Sequence, residues 1–188
     1  MRPQKVLEDD ILVGLTQVFR ARGYEGASLK ELADATGLKK ASLYHRFPSG
    51  KQEMAEAVLG HVSTWADQKV FKPLLNSESF PPEVRLKEAL TQIKTLYNDG
   101  KNTCILRALS MEDSLYLFES HIQTGMNKWI NAFTQIAEEL NFSKSDAKAE
   151  AVNTLINIQG SLVVSKGLND YSIFLNTIKN IEDKYLNP

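Results

Sequence analysis

Residues 28–51 read SLKELADATGLKKASLYHRFPSGK, a stretch that contains the start and stop signals of two short helices. Ser28 and Glu31 have the S-x-x-E spacing of a capping box, in which each side chain satisfies a backbone amide at the start of a helix. Gly37 can adopt the left-handed conformation that lets the chain leave that helix in a sharp turn. The stretch therefore predicts a short helix that starts at Ser28 and ends at a glycine turn.

A second helix is predicted from about Lys39 to Phe47. Its Leu43 and Phe47 are four residues apart, so both side chains point to the same, inward side. Ala33 in the first helix is small, which allows the two helices to cross closely. Two short helices joined by a glycine turn predict a helix-turn-helix.

The outward side of the second helix is basic and aromatic. Between residues 39 and 51 there is no acidic residue, and the positive charges are Lys39, Lys40, Arg46 and Lys51. Lysine and arginine neutralise DNA phosphates, and side chains on such a helix reach base edges. The sequence therefore predicts a helix that binds double-stranded DNA.

Lys51 has an unusual predicted position. Ser49 and Gln52 repeat the capping-box spacing, so a third helix is expected to begin at Ser49 with Lys51 in its first turn. The helix dipole disfavours a cation there. A DNA phosphate bound jointly by the helix amides and the lysine would compensate for this, which adds Lys51 to the predicted DNA contacts.

Length, charge and cysteine content restrict the class of protein. The chain has 188 residues, a net charge of −1 and one cysteine, so its positive charge is local and it can form no internal disulfide. No uninterrupted apolar run approaches the about 20 residues that cross a membrane, and no cleavable signal is recognised. We therefore expect a cytoplasmic protein without a membrane partner.

Helical periodicity continues along the chain, and no strand pattern is found. The first helix ends before Gly23, and its apolar residues are Leu7, Ile11, Leu15, Val18 and Phe19. The helix that starts at Ser49 is expected to stop at Lys72-Pro73. Further helices are predicted within 82–98, 104–109, 115–141, 143–166 and 170–186. The expected fold is all-α with about nine helices, a three-helix helix-turn-helix domain at 1–50 and a larger helical domain at 51–188.

The stretch 23–51 resembles the N-terminal domain of the TetR family of bacterial transcriptional regulators, with Tyr44, Phe47 and Lys51 at the family's signature positions. Gly50 departs from the family pattern, and it is similar to an insertion in the LmrA/YxaF-like branch. The resemblance covers about the first 60 residues. It implies a repressor that binds double-stranded operator DNA and assigns effector binding and dimerisation to 51–188.

A second departure from the family pattern lies in the first helix. Gly14 stands where many relatives have alanine. Glycine is expected to destabilise this helix by up to about 1 kcal/mol relative to alanine without changing the fold.

The residues and the resemblance together give a predicted set of DNA contacts. Tyr44 and Lys51 are expected to bind phosphates, whereas Lys40 and Ala41 are expected to face base edges. The full predicted set is Ser28, Lys39, Lys40, Ala41, Ser42, Tyr44, His45, Arg46 and Lys51.

The resemblance also implies a homodimer through the last two helices, since a single helix-turn-helix reads too few base pairs. The helix at 144–166 has small residues that permit close packing: Ala147, Ala151, Gly160 and Ser161. A charge added at Leu155 or Ile158 is expected to dissociate or unfold the protein and to abolish operator binding at the same time. The alternative is that these stripes only fill the core of their own protomer.

Several apolar, aromatic and sulfur-containing residues could line a pocket for a small apolar or aromatic effector, although an ordinary core has the same composition. The candidates are Trp65, Cys104, Leu106, Met111, Phe118, Ile122, Met126, Trp129 and Phe133. Trp65 and Lys51 are predicted on one helix, about 21 Å apart at the standard rise. A shift of this helix is therefore the expected route from effector binding to DNA release.

Two other functions are compatible with the sequence. A thiol hydrolase could use Cys104 and His121, and an architectural DNA-binding protein would need no effector. No catalytic or nucleotide-binding fingerprint is present, and the three histidines lack metal-ligand spacing. The sequence therefore predicts no catalytic residue, no metal and no cofactor.

Overall fold

The computed structural model describes residues 8–111 and 113–187, so Leu7 of the predicted first helix lies outside the described residues. The described part is all-helical and has no strand, which confirms the predicted fold class. Its ten α-helices and one π-helical turn form nine continuous segments, because 51–75 is unbroken. The elements are α1 (Glu8–Gly26), α2 (Leu29–Thr36), α3 (Lys40–Arg46), α4 (Lys51–Ala66), the π turn (Asp67–Phe71), α5 (Lys72–Leu75), α6 (Pro82–Leu96), α7 (Ile105–Ala108), α8 (Ser114–Glu139), α9 (Lys144–Leu168) and α10 (Ser172–Leu186).

The chain divides into two compact units. The first comprises Met1–Ser63 and Ile105–Ile122, and the second comprises Thr64–Cys104 and Gln123–Pro188. These units are defined by packing, whereas the predicted domains are defined by function. The division into a DNA-binding domain at 1–50 and an effector-binding and dimerisation domain at 51–188 stays a prediction.

In the first unit, α1 packs against α2 and the two helices bury one apolar core. Ile11, Leu15, Phe19, Leu32 and Leu43 are each at most 1% exposed. The helical geometry of α1 breaks at Gly23, whose φ of 69° is in the left-handed region. This break lies where the sequence predicts the end of the first helix.

Gly14 lies at the crossing of α1 and α2. A Cβ atom at this position would lie 2.4 Å from the carbonyl oxygen of Ala35 and 2.9 Å from its carbonyl carbon. Both are backbone atoms, so neither can move without displacing α2. The prediction from helix propensity is therefore incomplete, because it omits this steric contact.

We expect Gly14→Ala to destabilise the protein by about 1 to 3 kcal/mol, the usual penalty for overpacking. Gly60→Ala is the matched control, because a Cβ there meets no atom within 4 Å, and it should be neutral or stabilising by up to about 1 kcal/mol. Urea unfolding of the two variants measures both values. Equal effects of the two substitutions would contradict the close crossing.

The helix that begins with α4 continues through the predicted stop at Lys72-Pro73. The amide of Lys72 donates to the carbonyl of Asp67, five residues earlier, which widens the helix into a π turn. Pro73 then occupies the first turn of α5, where a missing amide N–H is tolerated. The predicted stop is therefore wrong, and the helical segment ends at Leu75.

Arg85 of α6 is a buried cation in the second unit, with 3% exposure. Its Nε donates to the carbonyl of Phe80 at 2.9 Å, and its other nitrogens donate to the carbonyl of Leu74 and to the carboxylate of Glu139. One side chain thus joins α5, the loop before α6 and α8. A buried cation whose three nitrogens each donate a hydrogen bond, and which has a carboxylate partner, is compatible with a stable core.

The helix α9 carries apolar residues on two opposite sides. Ala147, Ala151, Ile158 and Leu162 are at most 5% exposed and pack in the protomer's own core, with Ser161 at 6%. These residues of the predicted stripe are therefore core, as the alternative interpretation holds, and Ile158 is not a surface position, whereas Leu155 of the same stripe is half-buried. The exposed side carries Gly160, which belongs to the predicted small residues, and the apolar residues Ile156, Val163, Val164 and Leu168, which do not belong to the predicted stripe.

No helix in the described part of the chain is long and apolar enough to cross a membrane.

Candidate nucleic-acid interface

The start of α2 is fixed by the predicted capping box. The Ser28 hydroxyl accepts a hydrogen bond from the Glu31 amide at 3.2 Å, and the Glu31 carboxylate accepts one from the Ser28 amide at 3.1 Å. Hydrogen bonds from the Ser28 side chain and backbone, and from Arg22, hold the pKa of Glu31 below its usual value. A lowered folded-state pKa stabilises the fold above the unfolded-state pKa, and this contribution is lost as the pH falls. Ser28 is therefore engaged in a structural role.

The turn between α2 and α3 is built on Gly37. This residue has a φ of 66°, and its amide donates to the carbonyls of Ala33 and Asp34. Leu43 and Phe47 of the next segment are 1% and 5% exposed, so they face inward as predicted. The two short helices and their glycine turn thus have the predicted helix-turn-helix arrangement.

The outward side of α3 is exposed as the sequence predicts. Tyr44 is 45% exposed. Seven of the nine predicted contacts are exposed residues around this helix: Lys39, Lys40, Ala41, Ser42, Tyr44, His45 and Arg46. No acidic residue belongs to α3 itself. The structure thus brings these side chains to one basic and aromatic surface, whereas Ser28 lies at the start of α2.

Arg46, at the end of α3, forms an ion pair with Glu8 of α1. The distance between Arg46 Nη1 and Glu8 Oε2 is 2.6 Å. Sequence reasoning missed this pair, since 38 positions separate the residues and no local spacing links them. The contact ties the start of α1 to the end of the predicted recognition helix. Arg46 therefore positions α3 in addition to carrying charge.

The turn between α3 and α4 corrects the second predicted capping box. The Ser49 amide donates to the Glu53 carboxylate at 2.8 Å, whereas the Gln52 side chain donates to Glu56. Gly50 has a φ of 73°, and α4 begins at Lys51 rather than at Ser49. The helix thus begins two residues after the predicted start, because the left-handed Gly50 precedes its first residue.

Lys51 lies in the first turn of α4, as predicted, and its ammonium group forms a cation–π contact with an aromatic ring. Its Nζ is 4.4 Å from the centre of the Tyr24 ring, and the Tyr24 ring lies edge-on to Phe118 at 5.1 Å. Within the described residues no carboxylate forms an ion pair with Lys51. The negative face of the ring partly compensates for the unfavourable helix dipole. Tyr24 thus contacts Lys51 through its ring, and no local spacing in the sequence links the two residues.

The predicted effector residues fall in both units. The first unit contains Leu106, Met111, Phe118 and Ile122, and the second contains Trp65, Cys104, Met126, Trp129 and Phe133. In the second unit, Trp129 lies between Phe71 and Phe133, with ring centres 5.2 and 6.1 Å away. Cys104, Phe118, Ile122, Trp129 and Phe133 are buried, whereas Met111 is 51% exposed. The effector pocket stays a prediction.

The chain matches a known family of regulators. Residues 11–58 match the model of "Bacterial regulatory proteins, tetR family". The chain is also similar to the HTH-type transcriptional regulator LmrA of Bacillus subtilis (strain 168), with 25% identity over 161 residues that cover 84% of this chain and 85% of LmrA.

Solved structures show the same fold at low sequence identity. A TetR transcriptional regulator from Legionella pneumophila superimposes with a TM-score of 0.78 and 19% identity, over 98% of this chain and 99% of that chain. The TetR family regulator CifR, solved as a cysteine mutant with 26-bp double-strand operator DNA, has a TM-score of 0.74 and 20% identity. Coverage is 97% of this chain and 98% of that chain.

Proposed function

Because this chain belongs to the TetR family of DNA-binding transcriptional regulators, we propose that it acts as a homodimeric repressor that a small apolar or aromatic effector releases from its operator. Members of this family are regulators and not enzymes, so a thiol hydrolase using Cys104 and His121 is rejected. The site of action is then the bacterial cytoplasm, where the operator DNA lies.

The observation that carries the proposal is the exposed side of α3, a helix that contains no acidic residue of its own. The fixed charges of Lys39 and Lys40 lie at its start, and Tyr44 and His45 lie one turn later. A basic helix surface of this kind attracts phosphates and reaches base edges in the major groove. CifR, which has the same fold, was solved with double-strand operator DNA, and this supports operator DNA as the partner.

Lys51→Ala and Lys40→Ala should weaken DNA binding in different ways. Loss of Lys51 removes one phosphate contact per protomer, so affinity should fall for all sequences and the salt dependence should flatten by about one unit per half-site. Loss of Lys40 should weaken the preference for particular base pairs and reduce the binding free energy by about 1 to 3 kcal/mol per half-site. Binding to operator and scrambled DNA at several salt concentrations separates the two effects.

Lys30→Ala is the control for this pair, because Lys30 is an exposed lysine of α2 outside the predicted contact set. It should leave base preference unchanged. If Lys51→Ala altered base preference and kept the wild-type salt dependence of DNA affinity, the assignment of Lys51 to a phosphate would be incorrect.

The exposed apolar side of α9 supports dimerisation. Ile156 is 60% exposed, Leu168 is 68% exposed, and Val163 and Val164 lie between them at 44% and 46%. Leu175 of α10 adds a further apolar side chain at 40%. A helix that is apolar on the side opposite its own core needs a partner surface. A second copy of the chain supplies one with matching symmetry.

Effector binding and operator binding should weaken each other by the same factor. If the effector lowers operator affinity about a hundredfold, close to 3 kcal/mol, operator DNA must lower effector affinity equally. Trp65 and Trp129 are the two tryptophans of the chain, and both belong to the predicted pocket. Tryptophan fluorescence titrations with and without operator measure the coupling.

This titration also separates repression with an effector from the architectural alternative. A ligand found by a thermal-shift screen that binds equally well with and without operator would refute the regulatory mechanism. An architectural protein would bind no such ligand and would protect many unrelated DNA sequences. Selection of bound fragments from genomic DNA tests that second property directly.

A further inference from the structure

A cleft in the second unit is not used by DNA binding, dimerisation or the predicted effector pocket. Its volume is about 600 Å³, and it is formed by the π turn, α5, the loop at 76–81 and the start of α6. None of the predicted effector residues lines it. The volume is in the usual range for small-molecule sites.

One wall of the cleft is apolar. Phe80 is 64% exposed and Val84 is 47% exposed, and both line the cleft. The loop that carries Phe80 is held in place, because the buried Arg85 donates to the Phe80 carbonyl at 2.9 Å. An aromatic ring that is carried by an anchored backbone and left partly in water is a favourable surface for an apolar ligand.

Another part of the lining carries hydrogen-bond donors. Gln68, Lys72 and Asn76 follow each other at four-residue spacing and all line the cleft. Within residues 8–111 and 113–187, the Gln68 and Lys72 side chains form no hydrogen bond or ion pair, and Asn76 uses only its Oδ1, which accepts from the Glu78 amide at 3.3 Å. Two amide groups and one ammonium are therefore available to an anionic oxygen.

The cleft also contains one negative charge. The Glu88 carboxylate lines it and accepts a hydrogen bond from Gln92 at 2.8 Å. Of the two cations among the described lining residues, Arg85 is already paired with Glu139, so Lys72 is left to compensate for one negative charge on a ligand. Glu88 repels a second negative charge.

We propose that this cleft binds a small organic monocarboxylate. The carboxylate accepts hydrogen bonds from Lys72 and its neighbouring amides, and the apolar body lies against Phe80 and Val84. This site is separate from the predicted effector pocket.

The probes are octanoate and phenylacetate at millimolar concentration, added to the full-length protein and followed by amide chemical shifts and titration calorimetry. Shift changes should be confined to residues 67–92. Lys72→Met should weaken octanoate binding about tenfold and leave the binding of octanol unchanged. Lys69→Met is the matched control, since Lys69 is an exposed lysine of the π turn that does not line the cleft. It should retain wild-type affinity.

Octyl phosphate tests the role of Glu88. The wild type should bind octyl phosphate more weakly than octanoate. Glu88→Gln should reduce this difference in affinity, because it removes the carboxylate that repels the second negative charge. The proposal is overturned if neither carboxylate shifts these amides, if the shifts lie elsewhere, or if Lys72→Met and Lys69→Met weaken binding equally. Phe80→Ala should weaken octanoate and octanol alike, which separates the apolar contact from the charged one.

Discussion

Replacing Arg85 with methionine is expected to lower the free energy of unfolding by about 3 kcal/mol. The substitution leaves the carbonyls of Leu74 and Phe80 without their donors and leaves the Glu139 carboxylate without its cation. We expect a loss of unfolding free energy at the lower end of the range caused by breaking buried ion pairs. The reason is that the Glu139 side chain is 28% exposed and can be partly hydrated. Urea unfolding followed by circular dichroism measures the loss.

Lys87→Met is the matched control for Arg85→Met. Lys87 is also a cation of α6 with an acidic partner, but its side chain is 55% exposed and lies 3.8 Å from Glu182. Its loss should change stability by about 0.5 kcal/mol or less. Addition of Glu139→Gln to Arg85→Met should restore part of the stability. Equal losses for the two single variants would show that burial of Arg85 has no energetic consequence.

Val164→Asp is expected to abolish both dimerisation and operator binding. The substitution places a charge on the exposed apolar side of α9, where a partner copy would bury it without a counter-charge. One protomer then meets only one half-site, so operator affinity should fall by more than about a hundredfold. Sedimentation velocity and operator titration on the same sample measure the two losses.

Val84→Asp is the control for Val164→Asp. Val84 has nearly the same exposure, 47% against 46%, but it lies on α6. It should leave the dimer and operator binding intact. Ile158→Asp should unfold the protomer, one of the two outcomes expected from the sequence, since Ile158 is fully buried within one chain. A Val164→Asp protein that remained a dimer would remove this side of α9 from the interface.

The helix-turn-helix was predictable because its signals are local. Ser28 and Glu31 are three residues apart, Gly37 follows within two turns, and Leu43 with Phe47 marks the inward side. Capping, turn geometry and helical periodicity each depend on a few neighbouring residues. The same is true of the long helices, whose apolar residues repeat over many turns.

Features that depend on distant parts of the chain were not predictable. The contact of Gly14 with Ala35 and the ion pair of Arg46 with Glu8 join residues with no local relationship. The two apolar sides of α9 both have helical spacing, so periodicity could not identify which side faces the protomer's own core. Burial of Arg85 was likewise invisible, because arginine is rarely buried unless it is paired.

The π turn at Asp67–Phe71 has a consequence for the comparison of related sequences. In an α-helix successive residues are rotated by about 100° around the helix axis. The loss of one residue therefore turns every later side chain to a different side of the helix. A π turn contains one residue more per hydrogen-bonded ring than an α turn. A relative that lacks one residue here can close an ordinary α turn and still direct the counterparts of Val70 and Leu74, both fully buried in this chain, to the core. In an alignment of related sequences, a gap of one residue in this segment should therefore mark a relative with an α turn in place of the π turn. The later buried positions of the two chains should still correspond.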